Sequence, residues 1–141
     1  MPRSLIAFVI TAGLATGVAI ALLSGLAGCG GSDVCKDDHC VCALGGACSH
    51  DCSAGGNACE VQCGAGEPCD VGCAPGEHCH VECSNASSCD VDCGSSPECH
   101  VTCPASGCTV HACAGAACTV TCGTILGAGL PTRTGTTATC P

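Results

Sequence analysis

The chain has 141 residues, of which 21 are Cys and 21 are Gly, and it contains no Trp, no Tyr and a single Phe. Cysteine is therefore about 15% of the chain (21 of 141), above the roughly 8–10% that is typical of a disulfide scaffold or a metal-thiolate protein. Three Lys and Arg stand against 12 Asp and Glu, for a formal net charge of −9. No basic surface is available to neutralise phosphates, so we expect no nucleic-acid partner.

Apolar side chains that could build a core are scarce after residue 28. Residues 29–141 hold nine Val, three Leu and one Ile, which is 13 of 113 residues. This fraction is below the roughly 20% under which chains tend to be disordered. A fold built from such a chain needs covalent crosslinks in place of a large core.

The first 28 residues predict a secretion signal, which would be helical. A positive start, Met1–Arg3, precedes the uncharged run 5–27, rich in Leu, Ile, Val and Ala, in the order of a signal peptide. The run ends in Leu26-Ala27-Gly28-Cys29, which resembles the lipobox of bacterial lipoproteins. The resemblance implies cleavage before Cys29 and acylation of Cys29 with palmitate-type chains, which hold a protein on a membrane without spanning it. The alternative is an uncleaved anchor, since 23 apolar residues can span a bilayer core of about 30 Å.

The same resemblance implies a position in the cell envelope. Residues 29–34 would form the lipid anchor and its tether. The rest of the chain, residues 35–141, which we call the body, would be periplasmic or surface-exposed. Gly30 follows Cys29 where some bacteria use Asp to retain lipoproteins in the inner membrane, so the outer membrane is favoured over the inner one. Membrane lipid is the partner implied here, and the sequence indicates no particular protein or envelope partner.

A ten-residue repeat organises residues 59–122. Each unit has the pattern C-x-V-x-C, as in Cys59-Glu60-Val61-Gln62-Cys63, and units begin at residues 59, 69, 79, 89, 99, 108 and 118. The unit that begins at Cys108 has one extra residue before its last Cys, and residues 48–52 match a degenerate unit without the Val. A fixed period of this kind indicates a repeat architecture.

The inner pattern of each unit predicts a strand, because Cys, Val and Cys alternate with polar residues. Segments rich in Gly, Pro, Ser and Asn join the units at 64–68, 74–78, 84–88 and 94–98 and predict turns. We therefore predict an all-β fold, a narrow β-solenoid of stacked units, with an antiparallel meander of the same strands as the alternative. The arrangement is similar in kind to the disulfide-stapled solenoids of insect antifreeze proteins. Only residues 119–121 match their outward Thr-x-Thr rows, so ice binding is not expected.

These features divide the chain into five parts. They are a lipoprotein signal peptide (1–28), a lipid anchor and tether (29–34), a Cys-rich N-terminal cap (35–58), the C-x-V-x-C repeats (59–122) and a C-terminal tail (123–141).

Twenty cysteines are left when Cys29 is assigned to lipid (21 − 1), an even number that suits a complete disulfide framework in an exported chain. An extended C-x-V-x-C separates its two Cα atoms by about 13 Å, too far for a disulfide. We predict that the last Cys of each unit bonds to the first Cys of the next, which requires neighbouring strands that face each other or run antiparallel. The ten predicted pairs are Cys35–Cys40, Cys42–Cys48, Cys52–Cys59, Cys63–Cys69, Cys73–Cys79, Cys83–Cys89, Cys93–Cys99, Cys103–Cys108, Cys113–Cys118 and Cys122–Cys140.

The sequence offers no catalytic motif. It lacks G-x-S-x-G, H-E-x-x-H, a P-loop and the C-x-x-C of thiol oxidoreductases, and Asp37-Asp38-His39 is interpreted as a solvated loop. We therefore expect no enzyme. The predicted function is that of a rigid structural, adhesive or surface-display module tethered to a membrane.

The alternative function is binding of a divalent metal, Zn²⁺ or Cu²⁺; no other cofactor is expected. The residue after the first Cys of a unit should face outward, and this position holds Asp70, His80, Asp90 and His100. Strand neighbours lie about 4.8 Å apart, so adjacent units could share an ion between imidazole and carboxylate. If each coil has two faces, His80 would neighbour His100 instead. Without a metal, these residues form a solvated row.

Overall fold

The computed structural model describes residues 34–36, 38–54, 56, 58–124 and 127–141. The predicted signal helix, the lipobox and Cys29 lie outside these residues. The described chain is nearly all β, as predicted. Its strands are β1 (Val34–Lys36), β2 (His39–Val41), β3 (Cys48–Asp51), β4 (Ala58–Gln62), β5 (Pro68–Gly72), β6 (His78–Glu82), β7 (Ser88–Asp92), β8 (Glu98–Cys103), β9 (Cys108–His111), β10 (Cys118–Thr124), β11 (Gly127–Gly129), β12 (Thr132–Thr134) and β13 (Thr137–Cys140), with one short 3-10 helix at Gly115–Ala117.

Successive repeat units alternate between two sheets, so one coil contains two units and about 20 residues. Sheet A has the strand order β1-β2-β4-β6-β8-β10-β11, and sheet B has the order β12-β13-β9-β7-β5-β3. Within each sheet the repeat strands pair in parallel, with Cys59 beside Cys79 and Val61 beside Val81. The predicted β-solenoid is confirmed, with about four turns. Antiparallel pairing occurs at the two ends of the described sheets, at β1, β11, β12 and β13.

The core is a stack of Val and cystine between the sheets. Strands such as β4, β5 and β7 alternate exposed and buried residues, with the first Cys and the Val buried. Val71, Val81, Val91 and Val110 are completely buried. The predicted two-residue periodicity thus places one Val per unit in a column that runs along each sheet.

The part of the chain that the structure describes contains ten disulfides, and they are the ten pairs predicted from the sequence. Nine of them close short turns, with sequence separations of 5 to 7, and the tenth joins Cys122 to Cys140. The pairing requires neighbouring strands that face each other or run antiparallel. Consecutive units do face each other across the core. Neighbouring coils bring cystines into contact, and Cys63 Sγ lies 3.2 Å from Cys83 Sγ. Each side of the solenoid therefore carries a ladder of stacked disulfides.

The unit that begins at Cys108 has one extra residue, and the step from Cys108 to Cys118 stays at ten because the following segment, 114–117, has four residues where 64–68 has five. Ala112 is this extra residue, and it has a φ of 52°, a left-handed conformation uncommon for a residue with a Cβ. The strand before it stays in register, with Val110 beside Val91. The strand after it also stays in register, with Val120 beside Val101. The bulge at Ala112 therefore keeps both Val columns continuous.

The N-terminal cap contains β1, β2 and β3 and completes the first coil. Cys40 aligns with Val61, and His50 aligns with Val71. The degenerate unit at 48–52 thus fills its Val position with an imidazole, which lies against the Cys40 sulfur at 3.4–3.5 Å. The Asp37-Asp38-His39 interpretation needs correction at its last residue, because His39 is the first residue of β2.

The segment interpreted as a C-terminal tail forms three strands within the described residues. β11 pairs with β10, and β13 pairs with β9, placing Cys140 beside Cys108. Arg133 on β12 donates hydrogen bonds to the carbonyl oxygens of Cys113 and Cys118, at 3.1 and 2.8 Å. One of the few basic residues of the chain therefore holds the C-terminal end of the solenoid together.

Candidate functional site

The two outer faces of the solenoid carry different side chains. On sheet A, the row that contains the residue after the first Cys of each unit runs Glu60, His80, His100 and Thr119, and His39 extends it by pairing with Glu60. On sheet B, the corresponding row runs Ser49, Asp70, Asp90 and Thr109, and Thr139 extends it by pairing with Thr109. Imidazoles are therefore concentrated on sheet A and aspartates on sheet B.

The four residues predicted as one metal-binding row do not lie together. Asp70 and Asp90 are direct neighbours in sheet B, whereas His80 and His100 are neighbours in sheet A. The histidines are separated from the aspartates because each coil has two faces. For that arrangement, His80 was expected beside His100. The two rings stack, with centroids 6.3 Å apart. The mixed Asp/His row is thus replaced by an acidic pair and an imidazole pair on opposite faces.

The structure adds two residues to the imidazole pair. His78 lies beside Glu98 in the register of β6 and β8, and its Nδ1 lies 2.8 Å from Glu98 Oε2. Glu98 Oε1 lies 2.7 Å from His100 Nε2. We call His78, His80, Glu98 and His100 the His–Glu cluster.

The sequence interpretation missed this cluster because it assigned His78 and Glu98 to turns. Both residues are instead the first residues of strands, β6 and β8. Each immediately precedes the first Cys of its unit, so each faces outward. A search for residues 20 apart would have found the signal, since His78 and Glu98 have that spacing.

The two histidines determine the electrostatics of Glu98. Hydrogen bonding by His100, and then by His78, lowers the pKa of the Glu98 carboxyl from its ordinary value. A lowered pKa in the folded state means that these contacts stabilise the fold above the ordinary glutamate pKa, and that the contribution is lost as the pH falls through the lowered value. Because Glu98 is solvent-exposed, its contribution to stability is small.

Two other groups on the surface pair one imidazole with one carboxylate. His39 Nδ1 lies 2.8 Å from Glu60 Oε2 on sheet A, and His111 Nε2 lies 3.4 Å from Asp90 Oδ1 on sheet B. Asp70 and Asp90 also line an open groove of about 640 Å³ on sheet B. These sites offer fewer imidazole ligands than the His–Glu cluster does.

Two carboxylates are held at the edge of the solenoid. Ser53 donates hydrogen bonds from its hydroxyl and its backbone N–H to Asp38, which lowers the pKa of that carboxyl. Glu77 is 2% exposed and accepts a hydrogen bond from the backbone N–H of Gly56. Sequence reasoning treated Glu77 as a turn residue and gave no sign of its burial.

Comparisons with protein families, with curated proteins and with solved structures find no match for this chain. Within the described residues, no helix has the length and apolar character that a membrane crossing needs.

Proposed function

We propose that this protein is an exported lipoprotein of the cell envelope and that its body is a rigid structural, adhesive or surface-display module. The observation that supports this role most strongly is the covalent closure of the coils. A disulfide joins sheet A to sheet B at successive turns from Cys42–Cys48 to Cys113–Cys118. Such crosslinks restrict local opening, and a stiff spacer requires this restriction.

The composition of the body offers few cleavage sites to proteases outside the cell. After residue 28 the chain has no aromatic residue, and its basic residues are Lys36 and Arg133. Proteases that select aromatic or basic side chains therefore find few sites. The disulfides also suit the oxidising compartments outside the cytoplasm, where such bonds persist.

The lipid anchor is proposed at Cys29, with the outer membrane favoured over the inner one. The support is the sequence Leu26-Ala27-Gly28-Cys29 at the end of an uncharged run. Two or three acyl chains give stable membrane attachment, because each buried CH₂ contributes about 0.8 kcal/mol. The body would then face the periplasm or the cell exterior, where it would meet an envelope or protein partner.

Replacement of the lipidated residue tests this proposal. Cells that produce the protein are grown with an alkyne-tagged fatty acid, and the protein is then purified and its intact mass is measured. We expect label on the wild-type protein, an N-terminus at Cys29 and recovery in the membrane fraction. Cys29→Ala should lose the label and leave the membrane fraction, because the thiol that carries the first acyl chain is gone.

Ser32→Ala is the matched control, since it changes a tether residue without touching the acylated thiol. It should keep both the label and the membrane attachment. An unlabelled wild-type protein, or a mature N-terminus at any other residue, would contradict the proposed anchor.

A further inference from the structure

We propose that the His–Glu cluster is a metal site that binds one divalent ion of the Zn²⁺ class through His78, Glu98 and His100. This inference does not depend on the lipid anchor or on the structural role proposed above. It depends on the positions of two imidazoles and one carboxylate on β6 and β8.

The donor set has the chemistry of a zinc site. Two imidazole nitrogens and one carboxylate, with a fourth position left to water, are a known ligand set for Zn²⁺. Imidazole also favours Cu²⁺ and Ni²⁺, whereas Mg²⁺ and Ca²⁺ favour sites made of oxygen atoms only. The twenty cysteines of the body are held in disulfides, so their sulfurs do not compete as thiolates.

The donor atoms already converge on one carboxylate. His78 Nδ1 and His100 Nε2 lie 2.8 and 2.7 Å from the two oxygens of Glu98. A tetrahedral ion with bonds of about 2.0–2.2 Å separates its ligand atoms by about 3.4 Å. Each nitrogen is therefore about 0.6 Å closer to its Glu98 oxygen than two ligands of one ion are to each other, and rotations of the three exposed side chains bring the donors around an ion that replaces the hydrogen-bonding protons.

The backbone holds these ligands in place before an ion arrives. His78 and Glu98 each precede a cysteine of a disulfide, Cys73–Cys79 or Cys93–Cys99. Those cysteines point inward and fix the strands on which the ligands stand. The His80 ring stacks on His100 and limits its rotation. Ligands held this way lose less conformational entropy on binding than ligands on a loop do.

The ion also has a route to the site. The side chains of His78, Glu98 and His100 are 61%, 46% and 43% exposed, so water and ions reach the donor atoms directly. The same exposure means that the cluster is not needed to hold the fold together. Variants of these residues are therefore expected to fold, and their metal affinity can be compared with that of the wild-type protein.

Calorimetric titration of Zn²⁺ into the purified, fully oxidised full chain at neutral pH tests the proposal. We expect one ion per chain with a dissociation constant in the micromolar range or below, and no heat of binding with Mg²⁺. The double variant His78→Ala/His100→Ala should bind at least about 100-fold more weakly, since it loses two ligands. Glu98→Gln keeps the side-chain shape and should bind about tenfold more weakly.

His39→Ala is the matched control, because it removes an imidazole that also contacts a carboxylate on sheet A. Its Zn²⁺ affinity should equal that of the wild-type protein. Titration with Co²⁺ adds a spectroscopic measurement, in which d–d bands without a thiolate charge-transfer band indicate nitrogen and oxygen ligands. The proposal would be overturned by the absence of binding up to about 100 μM Zn²⁺, by an unchanged affinity in the double variant, or by an equal loss in His39→Ala.

Discussion

Reduction of the disulfides is expected to unfold the body of this protein at neutral pH and room temperature. A bond that closes a loop of about six residues stabilises a fold by about 2 kcal/mol in the chain-entropy estimate. Nine bonds close loops of this size. Their summed stabilisation therefore exceeds the 5–15 kcal/mol that is the whole free energy of unfolding of a typical domain. One Val per unit cannot compensate for their loss.

The measurement is far-ultraviolet circular dichroism and proteinase K digestion, each before and after treatment with a reductant. The oxidised protein should keep its β signal and resist digestion, and the reduced and alkylated protein should lose both properties. Oxidised protein that is alkylated in the same way is the control, because the twenty cysteines of the described residues are all in disulfides. A reduced body that kept its β signal would show that Val packing and backbone hydrogen bonds are sufficient for the fold.

A charge placed in the Val column should be the most damaging single substitution. Val91 is completely buried and lies between Val71 and Val110 in sheet B. Val91→Asp buries a carboxylate among apolar groups, where a charge must neutralise or lose its hydration. We expect a loss of about 4 kcal/mol or more from the free energy of unfolding.

The matched control is Ser88→Asp, which places the same group at an exposed position of the same strand, β7. Its free energy of unfolding should stay within about 0.5 kcal/mol of the wild-type value. Denaturation by guanidinium under non-reducing conditions, followed by circular dichroism, compares the two variants. Equal midpoints would mean that Val91 does not belong to a packed column.

The strands and the disulfide pairs could be predicted because both follow from one unit. Alternation of Cys, Val and Cys defines the buried face, and the distance between the two Cys of a unit excludes a bond between them. The turn residues were less informative. His78 and Glu98 stand next to Gly- and Pro-containing segments, and they were assigned to those segments although each begins a strand.

The two-sheet coil could not be deduced from the inner residues, because every unit presents the same Cys-Val-Cys face. Only the outward residues distinguish the sheets: Asp70 and Asp90 alternate with His80 and His100. The sequence contains this 20-residue period, but the period indicates two sheets only when the position of each strand is known. The burial of Glu77 arises from contacts between turns of neighbouring coils, which no local pattern encodes.

Non-reducing disulfide mapping is the measurement that tests the two-sheet coil most directly. Peptides cut at acidic residues and sequenced by electron-transfer fragmentation would locate each bond, since Glu67 and Glu77 lie inside two of the closed loops. The structure predicts Cys63–Cys69 and Cys83–Cys89, which join sheet A to sheet B within one coil. A bond between Cys63 and Cys73, the last cysteines of consecutive units whose strands β4 and β5 belong to different sheets, would contradict it.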